Sequence, residues 1–267
     1  MDYNYWGFLI NYLRFDNMSD TKILVVEDDK IISLDIQRVL NAVGYDVPIT
    51  VSTGEDAIKI AEELLPDLIL MDISLKGNMD GIHAASEIKN LSIPIIYLTA
   101  YKNKSLIKRA QETDPYGYIL KPYDEQELTL TIDMALKKHE QITKMEGIIR
   151  ETPLPLFFIN NQHEVIFWNK AMEKLSGTPI KEIIGTDNHW KSFYDSKRPC
   201  MADLLMDSKF QMMHELYSGK IDMSDDSCSA EEYFPKIYNG VMLNFSASLI
   251  KNIQGKTIGA LEIVDVK

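Results

Sequence analysis

Two stretches decide the fold: Lys22-Ile-Leu-Val-Val-Glu-Asp-Asp29 and Leu68-Ile-Leu-Met-Asp72. Each is a short, unbroken apolar run that ends abruptly in carboxylates. An apolar run without alternation predicts a strand buried on both faces, which a parallel sheet covered by helices provides. The flanking sequence agrees. Ile32, Ile36, Val39, Leu40 and Val43 recur at helical spacing, and Gly44 follows where a left-handed C-cap is wanted. Val47–Val51 predicts a second strand. Ser52-Thr-Gly-Glu55 reads as a capping box that opens a helix with Ala57, Ile60, Ala61 and Leu64 on one face, and Pro66 ends it. Beyond Asp72 the pattern predicts a helix over Gly81–Lys89, a strand over Ile95–Leu98, a helix over Ser105–Gln111 and a last strand over Tyr118–Leu120.

Strands that alternate with helices imply right-handed crossovers and helices on both faces of one parallel sheet. Ligands then bind beyond the C-terminal strand ends. Those ends carry Glu27-Asp28-Asp29, Asp72, Thr99-Ala100 and Lys121-Pro122. The predicted pocket holds three or four carboxylates, one hydroxyl and one ammonium. Adjacent buried carboxylates repel unless a cation joins them, and oxygen-only ligands suit a hard cation such as Mg2+. One carboxylate can then act as nucleophile toward a phosphodonor and form an aspartyl phosphate. The transferred charge must be spread over a cation and donors, roles that fit Lys121 and Thr99. Asp29 reads as a helix-start charge more readily than as a third ligand, and Lys102 and Lys104 read as solvated surface.

The set Val-Val-Glu27-Asp28-Asp29, Leu-Met-Asp72-Ile-Ser74, Leu-Thr99-Ala100 and Tyr118-Ile-Leu-Lys121-Pro122-Tyr123 resembles the response-regulator receiver family, as does Met79-Asp80-Gly81 in the loop after the acceptor. The resemblance implies a flavodoxin-like five-stranded parallel sheet. It makes Asp72 the phosphoacceptor, with Glu27, Asp28, Asp72 and the Ser74 carbonyl holding Mg2+. Thr99 and Lys121 would bind the phosphoryl group, and Thr99 and Tyr118 would act as the switch. A sensor histidine kinase would be the phosphodonor, and the protein would be a phosphoacceptor rather than an enzyme in its own right. Two rival readings of the pocket fail. A haloacid-dehalogenase-type phosphatase wants a second Asp where Ser74 stands, and a flavodoxin wants a Ser/Thr/Gly loop where the first strand ends in acid.

Composition bounds the rest. The chain has 267 residues, 45% hydrophobic and 25% charged, which suits two ordinary globular domains. A net charge of -12 without a dense Lys/Arg run argues against nucleic acid and anionic lipid as partners. Two cysteines, Cys200 and Cys228, are too few for a disulfide scaffold and fit a reducing cytoplasm. No segment is long and apolar enough to predict a membrane span. Residues 1–17 are aromatic-rich but lack a basic leader and cleavage site. Met18 reads as the start, and residues 1–20 as an N-terminal extension outside the fold.

Residues 21–124 are therefore expected to form the receiver, 125–150 a linker helix and 151–267 a second domain. Leu128, Ile132, Ala135, His139, Ile142, Met145 and Ile149 alternate three and four apart. That seam predicts coiled-coil coupling of two domains and of two chains in a homodimer, against the plainer reading of an amphipathic helix packed on the receiver. His139 reads as packing.

After Pro153 and Pro155 the pattern changes. Leu156–Ile159 and Val165–Trp168 flank Asn160-Asn-Gln-His163, a hairpin signal, and a short helix over Ala171–Leu175 stops at Ser176-Gly177. Val241–Ile250 and Thr257–Val266 predict long strands. The stretches Phe158-Ile-Asn, Val165-Ile-Phe-Trp-Asn169-Lys-Ala, Ile183-Ile-Gly185 and Gly255-Lys-Thr-Ile-Gly259-Ala-Leu-Glu262-Ile-Val-Asp265-Val resemble the opening and close of a PAS domain. Gly185–Tyr194 with Arg198-Pro resembles a PAS variant of multidomain microbial sensors. The resemblance implies an α+β domain with an antiparallel sheet and leaves any PAS ligand open. His189, His214 and Cys200 are candidate haem ligands, but a histidine beside Trp190 is more often surface or core, and haem is not expected. Asp222–Glu232, acidic and serine-rich, reads as a loop.

The chain is thus expected to relay phosphorylation of Asp72 through the linker helix to the PAS domain by protein contacts, since Lys267 leaves no room for a DNA-binding, kinase or cyclase domain. Two alternatives remain. One is a PAS small-ligand sensor that uses the receiver as a dimerisation platform. The other is a fragment of a larger sensor kinase.

Overall fold

The computed structural model describes residues 21–100, 104–217, 221–234 and 240–266. The N-terminal extension and Lys102 lie outside them, as does the side chain of Lys104. The chain divides into two compact units whose boundary falls between Ile142 and Thr143.

In the first unit, β1 (Ile23–Val26), β2 (Thr50–Val51), β3 (Leu68–Asp72), β4 (Ile95–Thr99) and β5 (Gly117–Leu120) form one parallel sheet in the order β2-β1-β3-β4-β5. This is the flavodoxin-like order, with its switch point between β1 and β3. The unbroken apolar runs have the predicted cause. Ile23 and Val25 face one layer, with Leu68, Leu70, Ile96, Leu98 and Ile119, under α1 (Lys30–Ala42). Leu24, Val26, Ile69, Met71 and Tyr97 face the other, under α2 (Gly54–Leu64), α3 (Gly81–Ile88) and α4 (Lys104–Gln111). All four β1 side chains are wholly buried, each contributing about 1.5–3 kcal/mol of apolar burial.

Three local expectations shift. The second strand shrinks from Val47–Val51 to Thr50–Val51, because Pro48 has no N–H to give a ladder. The cap of α2 moves one residue on: Thr53, not Ser52, is the N-cap, and its Oγ1 accepts from Asp56 N at 3.1 Å. The helix α5 (Glu125–Glu151) is one unbroken element, but its apolar seam is divided. Leu128, Ile132 and Ala135 pack into the receiver core, and Tyr116 Oη contacts His139 Nδ1 at 3.0 Å. Those positions are taken up by the sheet's own layer, whereas Ile142 and Met145 are exposed.

The second unit is a six-stranded antiparallel sheet ordered β7-β6-β11-β10-β9-β8, the α+β architecture of a PAS fold. Its strands are β6 (Leu156–Asn160), β7 (Val165–Trp168), β8 (Asp222–Met223), β9 (Ser227–Phe234), β10 (Val241–Lys251) and β11 (Thr257–Val266). Between β7 and β8 run α6 (Lys170–Ser176), α7 (Ile180–Ile183), a 3-10 turn at His189–Ser192, α8 (Met201–Met206) and α9 (Phe210–Leu216). The acidic, serine-rich segment is therefore not a loop. Cys228, Ala230 and Phe234 alternate inward, and the strand pairs with β10 along its length. Gly259 sits where β11 crosses β6: a Cβ there would lie 2.1 Å from the Ile159 carbonyl oxygen.

Candidate functional site

The C-terminal ends of β1, β3, β4 and β5 assemble the predicted pocket. Glu27 continues β1, its N–H bonded to the Val51 carbonyl at 2.9 Å, and its side chain is 2% exposed. One carboxylate oxygen from each of Glu27, Asp28 and Asp72 lies within 4.8 Å of the other two. Asp29 stands apart. Its carboxylate caps α1, accepting from Ile31 N at 2.8 Å and Ile32 N at 3.3 Å.

Lys121 closes the pocket from β5. Its N–H donates to the Thr99 carbonyl at 2.8 Å, which locks the ends of β4 and β5 together. Its Nζ donates to Glu27 Oε2 at 2.5 Å and to Asp72 Oδ2 at 2.7 Å. The other acceptor oxygen, Asp72 Oδ1, takes the Ser74 N–H at 2.9 Å. Burial pushes the Glu27 carboxyl above its usual range, with the Lys121 hydrogen bond pulling it back and the Asp72 charge adding to the push. Burial opposes the charge on Lys121, but hydrogen bonds to Asp72 and Glu27 outweigh it and raise the ammonium.

Thr99, at the end of β4, is buried. Tyr118 lies on β5 with its ring 5.9 Å from that of Tyr97. Its Oη is buried and has no hydrogen-bond partner among the described residues, and burial raises the phenol. The loop after β3 does two jobs that sequence alone did not reveal. Asp80 caps α3 by accepting from His83 N at 2.8 Å and pairs with Arg109 at 3.0 Å. Gly81 lets α3 approach the strand, for a Cβ there would fall 2.0 Å from the Asp72 carbonyl oxygen. Lys76, on the same loop, reaches Asp28 Oδ2 at 2.8 Å from an exposed position. A cleft of about 520 Å3, lined by Glu27, Asp28, Thr50, Ser52, Asp56 and Lys59, opens beside the cluster.

In the second unit the three candidate haem ligands do not converge. His189 and Cys200 are buried near one another, while His214 is exposed on α9. A pair the sequence did not single out joins the segment leading into α8 to β9. Arg198 binds both Glu232 oxygens at 3.2 Å, and its guanidinium sits 3.8 Å over the Tyr194 ring.

Comparison with known proteins places each unit in a family. Residues 23–133 match the family model of the response regulator receiver domain, and residues 143–195 match that of the PAS fold. The chain therefore carries a receiver domain of the two-component response-regulator family, followed by a PAS fold. Among curated relatives, the transcriptional regulatory protein PdtaR of Mycobacterium tuberculosis is 35% identical over 127 residues, covering 47% of this chain and 62% of that protein. The phyllosphere-induced regulator PhyR of Methylorubrum extorquens is 32% identical over 129 residues, covering 48% of each. The chain thus spans less than two thirds of either relative. A solved signal receiver domain of a modulated diguanylate cyclase from Desulfovibrio desulfuricans is 33% identical, with a TM-score of 0.44 over 45% of this chain and 97% of that one. No helix among the described residues is long and apolar enough to cross a membrane.

Proposed function

We propose that the receiver accepts a phosphoryl group on Asp72 from a histidine kinase and passes the signal along α5 to the PAS fold through protein contacts. The observation that carries this reading is Lys121 Nζ held between Glu27 and Asp72 over a three-carboxylate cluster. The cluster's oxygen-only donor set suits Mg2+, which Glu27, Asp28, Asp72 and the Ser74 carbonyl would hold. When bound, the ion supplies charge neutralisation and orientation of phosphoryl oxygens.

The chain's own residues do the rest. An Asp72 oxygen attacks phosphorus as the bond to the donor imidazole breaks, and the imidazole leaves. Each Asp72 oxygen accepts one hydrogen bond, which leaves a lone pair for attack, and the incoming phosphoryl group competes for the donors around it. Lys121 is the partner free to move, because its flexible stem can swing from Asp72 to a phosphoryl oxygen, while the Ser74 N–H is fixed in the backbone. The Thr99 hydroxyl is a second donor to the phosphoryl group, and Tyr118, whose Oη has no hydrogen-bond partner among the described residues, is the side chain that answers the shift of Thr99. Homodimerisation through the exposed Ile142 and Met145 end of the seam belongs to the same proposal.

Native mass spectra with Mg2+, before and after acetyl phosphate, test it. Wild type should gain one phosphoryl group and Asp72→Asn none. Equal gain in both would remove Asp72 from the role.

A further inference from the structure

Each of the three carboxylates in the receiver cluster is bound to an ammonium. Lys121, just beyond β5, holds Glu27 and Asp72. Lys76, in the loop after β3, holds Asp28 Oδ2 at 2.8 Å. The two lysines differ in how firmly they are placed. The Lys121 side chain is 20% exposed and bridges two acids, whereas that of Lys76 is 83% exposed and reaches one. Lys121 belongs to the phosphoryl chemistry proposed above. Lys76 has no part in it, although it sits on one of the ion's expected ligands.

What holds Lys76 is charge. The hydrogen bond to Asp28 and the Asp28 charge raise its ammonium against a lesser desolvation, and the charges of Asp29 and Glu27 add to the rise. A field that draws a monovalent ammonium draws a divalent ion as well, and the two cations repel each other once both stand beside Asp28. The Asp28 carboxylate has lone pairs enough to accept from Lys76 and to ligate an ion. The contest is therefore over charge rather than over a place on the carboxylate. Lys76 is the cation suited to yield, because an exposed ion pair is weak and its four-carbon stem is flexible.

We propose that Lys76 sets the affinity of the receiver for Mg2+, as an exposed counter-charge that competes with the ion for Asp28. The inference rests on the reading of Glu27, Asp28 and Asp72 as the ion's ligands and concerns a residue outside that set. With Lys76 in place the site fills only at a higher free Mg2+ concentration. Acceptance of a phosphoryl group on Asp72 then follows the free Mg2+ level instead of being saturated at all times. Lys76 acts through Asp28 and touches no reacting atom, so it is a positioning residue and not a catalytic one.

The full chain tests this as wild type, Lys76→Met, Lys76→Arg, Lys76→Glu and Asp28→Asn. Each is titrated with Mn2+ in place of Mg2+, and electron paramagnetic resonance reads the free ion. At low ionic strength Lys76→Met should bind Mn2+ about three- to tenfold more tightly than wild type, the span for one screened charge beside a divalent ion. Lys76→Glu should bind more tightly again, and Lys76→Arg as wild type does. The gap between wild type and Lys76→Met should narrow as salt is raised. The Mg2+ concentration for half-maximal phosphoryl incorporation from acetyl phosphate should fall by the same factor in Lys76→Met. Circular dichroism checks that each variant is folded. Equal Mn2+ affinity in wild type and Lys76→Met, with binding lost in Asp28→Asn, overturns the role of Lys76 alone. Wild type that binds no Mn2+, or Asp28→Asn that binds it as wild type does, overturns the reading of the metal ligands and this proposal with it.

Discussion

Lys121 Nζ lies 2.7 Å from Asp72 Oδ2, so the ammonium just beyond β5 and the expected acceptor of β3 form one partly buried ion pair, with Glu27 on the ammonium's other side. In this arrangement the lysine serves as the pocket's resident cation. Removing it leaves two buried carboxylates facing each other, and breaking a buried pair costs roughly 3 kcal/mol or more. Lys121→Ala is therefore expected to lower receiver stability in chelator by about that amount and to recover a large share when Mg2+ is added. Urea denaturation with and without Mg2+ reads both effects. A variant as stable as wild type in chelator would show that the pair contributes nothing.

Gly81→Ala should disturb the same site from the backbone. Its Cβ would lie 2.0 Å from the Asp72 carbonyl oxygen and 2.9 Å from Met71 Cγ. A carbonyl in a central strand cannot step aside as a flexible side-chain tip can. The start of α3 must move instead, at a cost of about 2 kcal/mol or more. We expect a lower urea midpoint together with slower phosphoryl incorporation from acetyl phosphate. A loss of stability with an unchanged rate would mean that α3 shifts without carrying Asp72.

The parts that sequence foretold share one property: their signal is local. Apolar runs switching to acid at Glu27 and Asp72 marked strand ends, and the Gly44 punctuation marked the end of α1, where Gly44 indeed takes a positive φ of 104°. What escaped notice is long-range or low in contrast. The inward residues of β9 include Cys228 and Ala230, too small to stand out among serines and acids. Arg198 and Glu232 meet across 34 positions, which no spacing rule reaches. The division of the α5 seam was equally hidden. Leu128 and Ile142 look alike in a heptad, and only the sheet decides which of them it covers.

Asn169 tests how the end of α5 is secured within the PAS unit. Wholly buried, it accepts from Leu156 N at 3.0 Å and Met172 N at 2.9 Å and donates to the Leu154 carbonyl at 2.7 Å, with Thr152 at 3.3 Å and Ile149 at 3.5 Å. One amide thus caps α6 and ties β6 to the last turn of α5. Asn169→Ala loses the cap and leaves buried backbone groups unpaired, an expected loss of about 2 kcal/mol. Asn169→Asp keeps the acceptors and loses the donors. It should also be destabilised, with amide exchange accelerated at the end of α5 more than at α6. Equal protection there in wild type and both variants would sever Asn169 from the linker.

Glu262 gives the PAS unit a pH dependence of definite sign. Burial pushes its carboxyl up to about 8, against an ordinary value of 4.5, although the Ala202 N–H pulls it down. Between those values the unfolded chain is ionised while the folded chain keeps the proton, so folding takes up a proton. The group's contribution is therefore fully present below pH 4.5, drains as pH rises and is gone above about 8. Chelator-treated full chain, followed by tryptophan fluorescence in urea from pH 5 to 8, should show wild type weakening with pH more steeply than Glu262→Gln. The glutamine keeps the shape and cannot ionise, so the difference between the two slopes isolates this carboxyl. Parallel slopes would mean that Glu262 is ionised in the fold as it is in the unfolded chain.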